Sequence, residues 1–189
     1  DGYVAARTLQ GLGWSACCAS LGDPTRLTGD AALHAGMFRA LGGRVLDLSS
    51  GKHLPSGLPA GDLVVDALFG TGLRRPLEGL AACVVEGMNA SGLPIAAADV
   101  PSGICSDTGQ VLGAAVQAHL TVTMGLPKRG LFLHPGAQRV GDLLLAEIGL
   151  PRTDLDSPDL PGGLLTGALV RRMLPARPPT GHKGTFGTV

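Results

Sequence analysis

Two short stretches of this chain carry side chains that can do chemistry at the end of a strand. The first is Val65-Asp66-Ala67-Leu68-Phe69-Gly70-Thr71-Gly72-Leu73-Arg74-Arg75-Pro76. An apolar run ends in an acid, and a Gly-Thr-Gly turn comes next. Glycines let backbone N–H groups approach a ligand, and a helix opening after them favours phosphate. Arg74 and Arg75 can add charge-assisted bonds to a diphosphate. The same residues also suit an ordinary strand-to-helix turn with solvated arginines. The second stretch is Ala97-Ala98-Asp99-Val100-Pro101-Ser102-Gly103-Ile104-Cys105-Ser106-Asp107-Thr108-Gly109. Asp99 closes a run of small residues, where a half-buried carboxylate suits proton transfer. Ser102, three residues on, can join Asp66 in holding a hard cation through oxygen. Alternatively Asp99 caps a turn and Ser102 satisfies it.

Other polar residues read as structural. His34, His53, His119, His134 and His182 lack metal-ligand spacing and read as surface or hydrogen-bonded histidines. Asp107-Thr108-Gly109 reads as a plain turn and Lys128-Arg129-Gly130 as a solvated basic turn. The four cysteines, at 17, 18, 83 and 105, form no CxxC pair. They read as buried or incidental thiols of a reducing cytoplasm, not zinc ligands. There is no GxSxG elbow and no P-loop.

The elements that must position these residues alternate along the chain. Helical spacing predicts helices over Val4 to Leu12, Ala31 to Leu41, Pro76 to Ala90 and Leu164 to Leu174. Short apolar runs predict strands at Trp14–Ala19, Arg44–Leu48, Asp62–Phe69, Ile95–Val100, Leu120–Met124 and Leu143–Ile148. Ser49 to Gly61 reads as a loop and Pro151 to Gly163 as a linker. The last residues, Arg177 to Val189, read as the entrance to another strand. Strand–helix–strand alternation implies an α/β fold, a Rossmann-like three-layer sandwich with a mostly parallel sheet. In such sheets the site lies at the carboxyl ends of the strands, which points to the loops after Asp66 and Asp99.

Composition bounds the function. The chain has 189 residues with 15 basic and 15 acidic side chains, a formal net charge of zero. That argues against a surface built for nucleic acid or an anionic membrane. Apolar residues are 44% but aromatics only 3%, so the core must be Leu, Val and Ala. Thirty Gly and 14 Pro imply many tight turns. No run of about 18 apolar residues is present to span a membrane. The start, Asp1-Gly2-Tyr3, has no Met and no signal-peptide pattern, so the chain is expected to begin inside a longer protein.

Taken in order, these stretches resemble the YjeF N-terminal domain family, the NAD(P)H-hydrate epimerases. The matching residues are Asp1-Gly2-Tyr3-Val4-Ala5-Ala6-Arg7, Asp66 to Pro76, Asp99 to Gly103 and Asp107-Thr108-Gly109. They continue through Thr121-Val122-Thr123-Met124-Gly125, Pro127-Lys128-Arg129-Gly130-Leu131 and Ile148-Gly149-Leu150-Pro151. The tail His182-Lys183-Gly184-Thr185-Phe186-Gly187 resembles the opening of the ADP-dependent NAD(P)H-hydrate dehydratases. The resemblance implies an epimerase domain over residues 1–151. Residues 152–189 would be a linker and the first residues of a ribokinase-like dehydratase domain.

The resemblance, and not the spacing of the residues, also implies an activity and a set of roles. The epimerase would interconvert the R and S hydrates of NADH and NADPH (NADHX and NADPHX), and the dehydratase would restore the S form using ADP or ATP. Asp99 matches the family's catalytic carboxylate, which also contacts substrate. Asp66 and Ser102 match its potassium ligands. Asp1, Gly70, Thr71, Gly72, Leu73, Arg74, Arg75 and Pro76 match its substrate-binding positions. A cytoplasmic enzyme is implied, with homo-oligomerisation left open. The family's Asn-Asn-Gly-Gly segment, first strand and N-terminal helices have no counterpart here, nor does the dehydratase nucleotide site. The piece is therefore expected to be inactive by itself and to expose an apolar sheet edge. A second implied reading is a catalytically silent binding or dimerisation module; retention of Asp66, Asp99 and Ser102 favours the enzyme.

Overall fold

Parallel strands need a connection of a dozen or more residues to return the chain to the same end of the sheet. The spacing of the apolar runs provides it. The computed structural model describes residues 1–49, 60–155, 157, 159–160, 162–174, 179–181 and 184. The chain divides into two compact units, residues 1–150 and 151–189. In the first, β1 (Cys17–Ser20) pairs with β2 (Arg44–Asp47). β3 (Val64–Asp66), β4 (Ile95–Ala98), β5 (Leu120–Met124) and β6 (Asp142–Ala146) form a four-stranded sheet in that order. Every strand pair is parallel. Helices α1 (Gly2–Gly11), α2 (Gly29–Ala40) and α3 (Gly79–Ala90) complete the α/β architecture expected of a Rossmann-like sandwich.

The core is aliphatic, as the scarcity of aromatics requires. Val84, Val85 and Met88 of α3 pack on Ile95 and Ala97 of β4 and on Leu77, Val116 and Ala118. Each buried Val, Leu, Ile or Met among these contributes about 1.5–3 kcal/mol of transfer free energy, and the alanines less. A second cluster, Val100, Ile104, Ala115, Leu131 and Val140, lies under the loop that follows β4. Phe38 of α2 is fully buried and meets the Tyr3 ring of α1 at 6.4 Å between centroids. Among the described residues β3 is an edge strand, with its Val65 38% exposed and Leu63, just before it, 51% exposed.

Two expected boundaries move for a physical reason. The strand placed at Trp14 begins at Cys17, because α1 ends in a glycine-centred turn. Gly13 adopts φ +88°, its N–H reaches Gln10 O, and Trp14 N–H reaches back to Leu9 O. The helix expected from Pro76 begins at Gly79, because Leu77 is held extended: its N–H donates to Leu112 O at 2.9 Å and it bridges Gly113. Between β4 and β5, where no helix was expected, the chain runs as a loop. Gly103 makes that loop fit. It adopts φ +97°, and a Cβ there would lie 2.0 Å from Ala114 O.

The second unit has two short helices, α4 (Arg152–Leu155) and α5 (Gly167–Met173). Thr166 caps α5 by accepting from Leu169 N–H at 3.2 Å. Leu164, Leu165, Met173 and Leu174 are exposed. Most of the expected loop at 49–61, and most of the expected strand entrance at 177–189 with its dehydratase-like residues, lie outside the described residues. Among the described residues no helix is long and apolar enough to cross a membrane.

Candidate active site

β3, β4 and β5 all end at one crevice, and the acids singled out by sequence stand there. Asp66 is the last residue of β3, paired in register with Ala97 of β4. It is fully buried. Its Oδ2 accepts from Ser102 N–H at 2.7 Å, and its Oδ1 accepts from Ser102 Oγ at 2.6 Å and Leu68 N–H at 3.3 Å. Ser102, also fully buried, accepts Phe69 N–H at 2.9 Å on its hydroxyl, which lies 3.3 Å from Phe69 O. Burial pushes the Asp66 carboxyl above its ordinary range, against the Ser102 and Leu68 bonds that pull it down. Among the described residues no cationic side chain pairs with it. A buried carboxylate, a hydroxyl and a backbone carbonyl make an all-oxygen donor set that suits a hard cation, whose charge would offset the buried anion.

Asp99 follows β4 directly, and its N–H continues the ladder to Val122 O at 2.8 Å. Its backbone is left-handed, φ +71°, the one non-glycine with positive φ among the described residues. Such strain persists only where surrounding structure imposes it, and it concentrates at functional sites. The carboxylate is oriented unequally. Oδ1 accepts from Met124 N–H at 3.1 Å, from Thr123 Oγ1 at 3.3 Å and from Lys128 Nζ. Oδ2 has no hydrogen bond among the described residues. It lies 3.8 Å from where a Cβ on Gly70 would sit, so it faces the Gly-Thr-Gly loop.

That loop walls an open cleft of about 360 Å³ lined by Leu68, Phe69, Gly70, Gly72, Leu73, Arg74 and Arg75. Asp99 does not line the cleft itself; it stands behind Gly70. Leu73 N–H closes a turn on Gly70 O at 3.2 Å, and Ser106 Oγ approaches Thr71 O at 3.4 Å. Asp1 is exposed at the start of α1, and its helix reaches the same crevice: a Cβ on Gly2 would touch the Ala67 methyl at 3.2 Å. The structure thus brings Asp66 and Ser102 into direct contact and sets Asp99 and Gly70 together. Thr71, Gly72, Arg75 and Pro76 are left exposed, with Leu73 half-buried.

Other expectations are corrected. The Gly70–Pro76 loop does not open directly into a helix N-terminus, because α3 starts later. Arg74 is not free: it pairs with Asp107 at 2.9 Å, both side chains largely exposed. Asp107-Thr108-Gly109 is the expected turn, with Gly109 N–H on Cys105 O at 2.9 Å. Lys128 is not solvated; its side chain is 18% exposed and meets Asp99. Sequence reasoning gave Lys128 and Thr123 no part in the site, although both lie in stretches that carry the family resemblance. A further signal was that β5 must neighbour β4, which puts the residues after β5 beside Asp99. His119 is a hydrogen-bonded histidine, its Nδ1 accepting from Ile95 N–H at 3.1 Å.

A parallel α/β sheet whose strands end in a buried acid–serine pair, a strained carboxylate and a glycine loop defines a small-molecule site of the crevice type. The family model for the YjeF-related protein N-terminus matches residues 1–130, and the chain belongs to that family. It is 40% identical, over its whole length, to the bifunctional NAD(P)H-hydrate repair enzyme Nnr of Moorella thermoacetica, 36% of which it covers. It is 37% identical over 80% of its length to the NAD(P)H-hydrate epimerase of Rhodopirellula baltica, covering 62% of that protein. The chain therefore spans about a third of the bifunctional relatives it matches. The crystal structure of the yeast protein ynu0, YNL200c, shares the fold, with a TM-score of 0.61 at 21% identity over 79% of this chain and 62% of that one.

Proposed function

We propose that residues 1–151 form an NAD(P)H-hydrate epimerase domain that interconverts the R and S hydrates of NADH and NADPH. Asp99 is the group that moves the proton. The observation that carries this is the carboxylate itself: strained at φ +71°, held through Oδ1, with Oδ2 open toward the loop at Gly70. Membership in the family and relatives named as epimerases support the substrate. In this reading Oδ2 supplies the proton with which the ring hydroxyl leaves as water. It takes a proton back when water adds to the planar, iminium-like carbon. The loop from Gly70 to Pro76, together with Asp1, holds the nucleotide. Arg75 meets the diphosphate, and Arg74 joins it on leaving Asp107.

Asp66 and Ser102 would hold potassium, which when bound supplies a fixed positive charge beside the substrate oxygens. In the protein as encoded, residues 152–189 lead into a dehydratase that uses ADP or ATP, in a cytoplasmic, multifunctional repair enzyme.

The test uses the protein as its gene encodes it, R-hydrate of NADH, potassium, ATP or ADP and an excess of an S-specific dehydratase, following the return of reduced-nicotinamide absorbance. Recovery above the spontaneous rate is expected, with a loss of about 10²–10⁴-fold in Asp99→Asn, the range of general acid–base catalysis. A folded protein no faster than the blank would instead be a binding module.

A further inference from the structure

Lys128 belongs to a segment, Pro127-Lys128-Arg129-Gly130, that local sequence marks only as a basic turn. Its ammonium is nonetheless half-buried against Asp99, the two side chains 18% and 17% exposed. Nζ donates to Asp99 Oδ1 and, at 2.7 Å, to Met124 O. The second bond anchors the ammonium to the end of β5, independently of any ligand. The loop that carries it is fixed as well. Gly130 N–H donates to Ser106 O at 2.6 Å, and a Cβ on Gly130 would lie 2.1 Å from Cys105 O. The segments bearing the acid and the ammonium are therefore joined backbone to backbone.

We propose that Lys128 is a positioning residue for the proton transfer, locking the carboxylate so that Oδ2 alone faces the substrate loop. This rests on the reading of Asp99 given above. The terminal torsion of an aspartate is broad and nearly two-fold, so an unanchored carboxylate samples many orientations. The left-handed backbone sets where the side chain starts; Lys128, Met124 N–H and Thr123 set where its oxygens end. Thr123 sits at the long end of hydrogen-bond distance and Met124 N–H is a neutral donor. Lys128 is the donor of the three that is itself charged, so its bond to the carboxylate is an ion pair as well as a hydrogen bond. Misplacing a reacting group by about 1 Å costs on the order of 10²-fold in rate.

The experiment compares wild type, Asp99→Asn, Lys128→Met, Lys128→Arg and Lys128→Ala in the protein as encoded, with kcat and KM for the R-hydrate measured separately. Lys128→Met is expected to lower kcat by about 30–100-fold with KM within about threefold, the pattern of a group acting in the transition state. Lys128→Arg keeps a charged donor and is expected to recover part of the loss. Added methylamine is expected to restore kcat saturably in Lys128→Ala, which repair of a merely loosened fold would not do; melting temperatures are read alongside.

An unchanged kcat in Lys128→Met overturns the proposal. So does a rise in KM alone, which would make Lys128 a substrate ligand. A kcat loss that neither Arg nor methylamine relieves, with a lowered melting temperature, makes it structural only. If wild type is inactive, or Asp99→Asn is fully active, the epimerase reading fails and this inference with it. If Asp99→Asn is dead and Lys128→Met normal, only this inference fails.

Discussion

Ser102→Ala offers the sharpest energetic test of the buried pair. The hydroxyl is fully buried, donates to Asp66 Oδ1 at 2.6 Å and accepts Phe69 N–H at 2.9 Å. Removing it deletes one hydrogen bond to a charged group, about 1.5–3 kcal/mol, and leaves a half-buried N–H without its acceptor, about 1–3 kcal/mol. The main-chain bond from Ser102 N–H to Oδ2 survives. A loss of about 3–5 kcal/mol is expected at neutral pH, and a melting temperature lower by about 6–20 °C.

The loss must also depend on pH. Burial raises the Asp66 carboxyl above the unfolded value of 3.8, and the Ser102 side chain is the strongest influence opposing that rise. With a folded pKa above the unfolded one, the folded chain binds more protons in between. The stability from neutral Asp66 is therefore complete below 3.8 and is lost as pH rises through the folded value. Without Ser102 Oγ the folded value climbs further, so the variant falls further behind wild type as pH increases. Urea unfolding in potassium-free buffer at a series of pH values from 4 upward measures this. A penalty below about 1 kcal/mol throughout, or one that nowhere grows as pH rises, would refute the assignment of Asp66 as a buried carboxyl supported by this hydroxyl.

The same geometry sets three further outcomes. Potassium at about 100 times its Kd is expected to stabilise wild type by about 2.7 kcal/mol in thermal melts and to leave Asp66→Asn unmoved; equal shifts in both would remove Asp66 from the cation site. Gly103→Ala is expected to cost more than about 3 kcal/mol in urea unfolding, because φ +97° and the Ala114 carbonyl both exclude a Cβ; a loss under about 1 kcal/mol would mean that the loop after β4 is placed wrongly. Cys105 is expected to alkylate at least about tenfold faster than Cys18 at pH 8, read by peptide mass spectrometry. Bonds from Thr108 and the Asp107 backbone hold the Cys105 thiol below its ordinary range, whereas burial pushes Cys18 up to about 11.

Side-chain type and short-range spacing already determined much of this protein. Asp66 and Asp99 were legible because each ends an apolar run, and parallel strands must present their carboxyl ends to one crevice. Ser102 and the Gly-Thr-Gly turn were legible because small and hydroxylic residues there mark a backbone that approaches something closely. Strand and helix identities came from period, with ends misplaced by a few residues where a long-range bond captured the chain, as Leu112 and Gly113 capture Leu77. Neither the fate of Arg74, drawn to Asp107, nor that of Lys128, drawn to Asp99, could be read from neighbouring letters. A charged side chain is solvated by default; partners about 30 residues away redirect Arg74 at the surface and let Lys128 be largely withdrawn from water. Which oxygen of Asp99 is tied and which is free was likewise decided by β5 lying beside β4, a pairing that exists only once the sheet has formed.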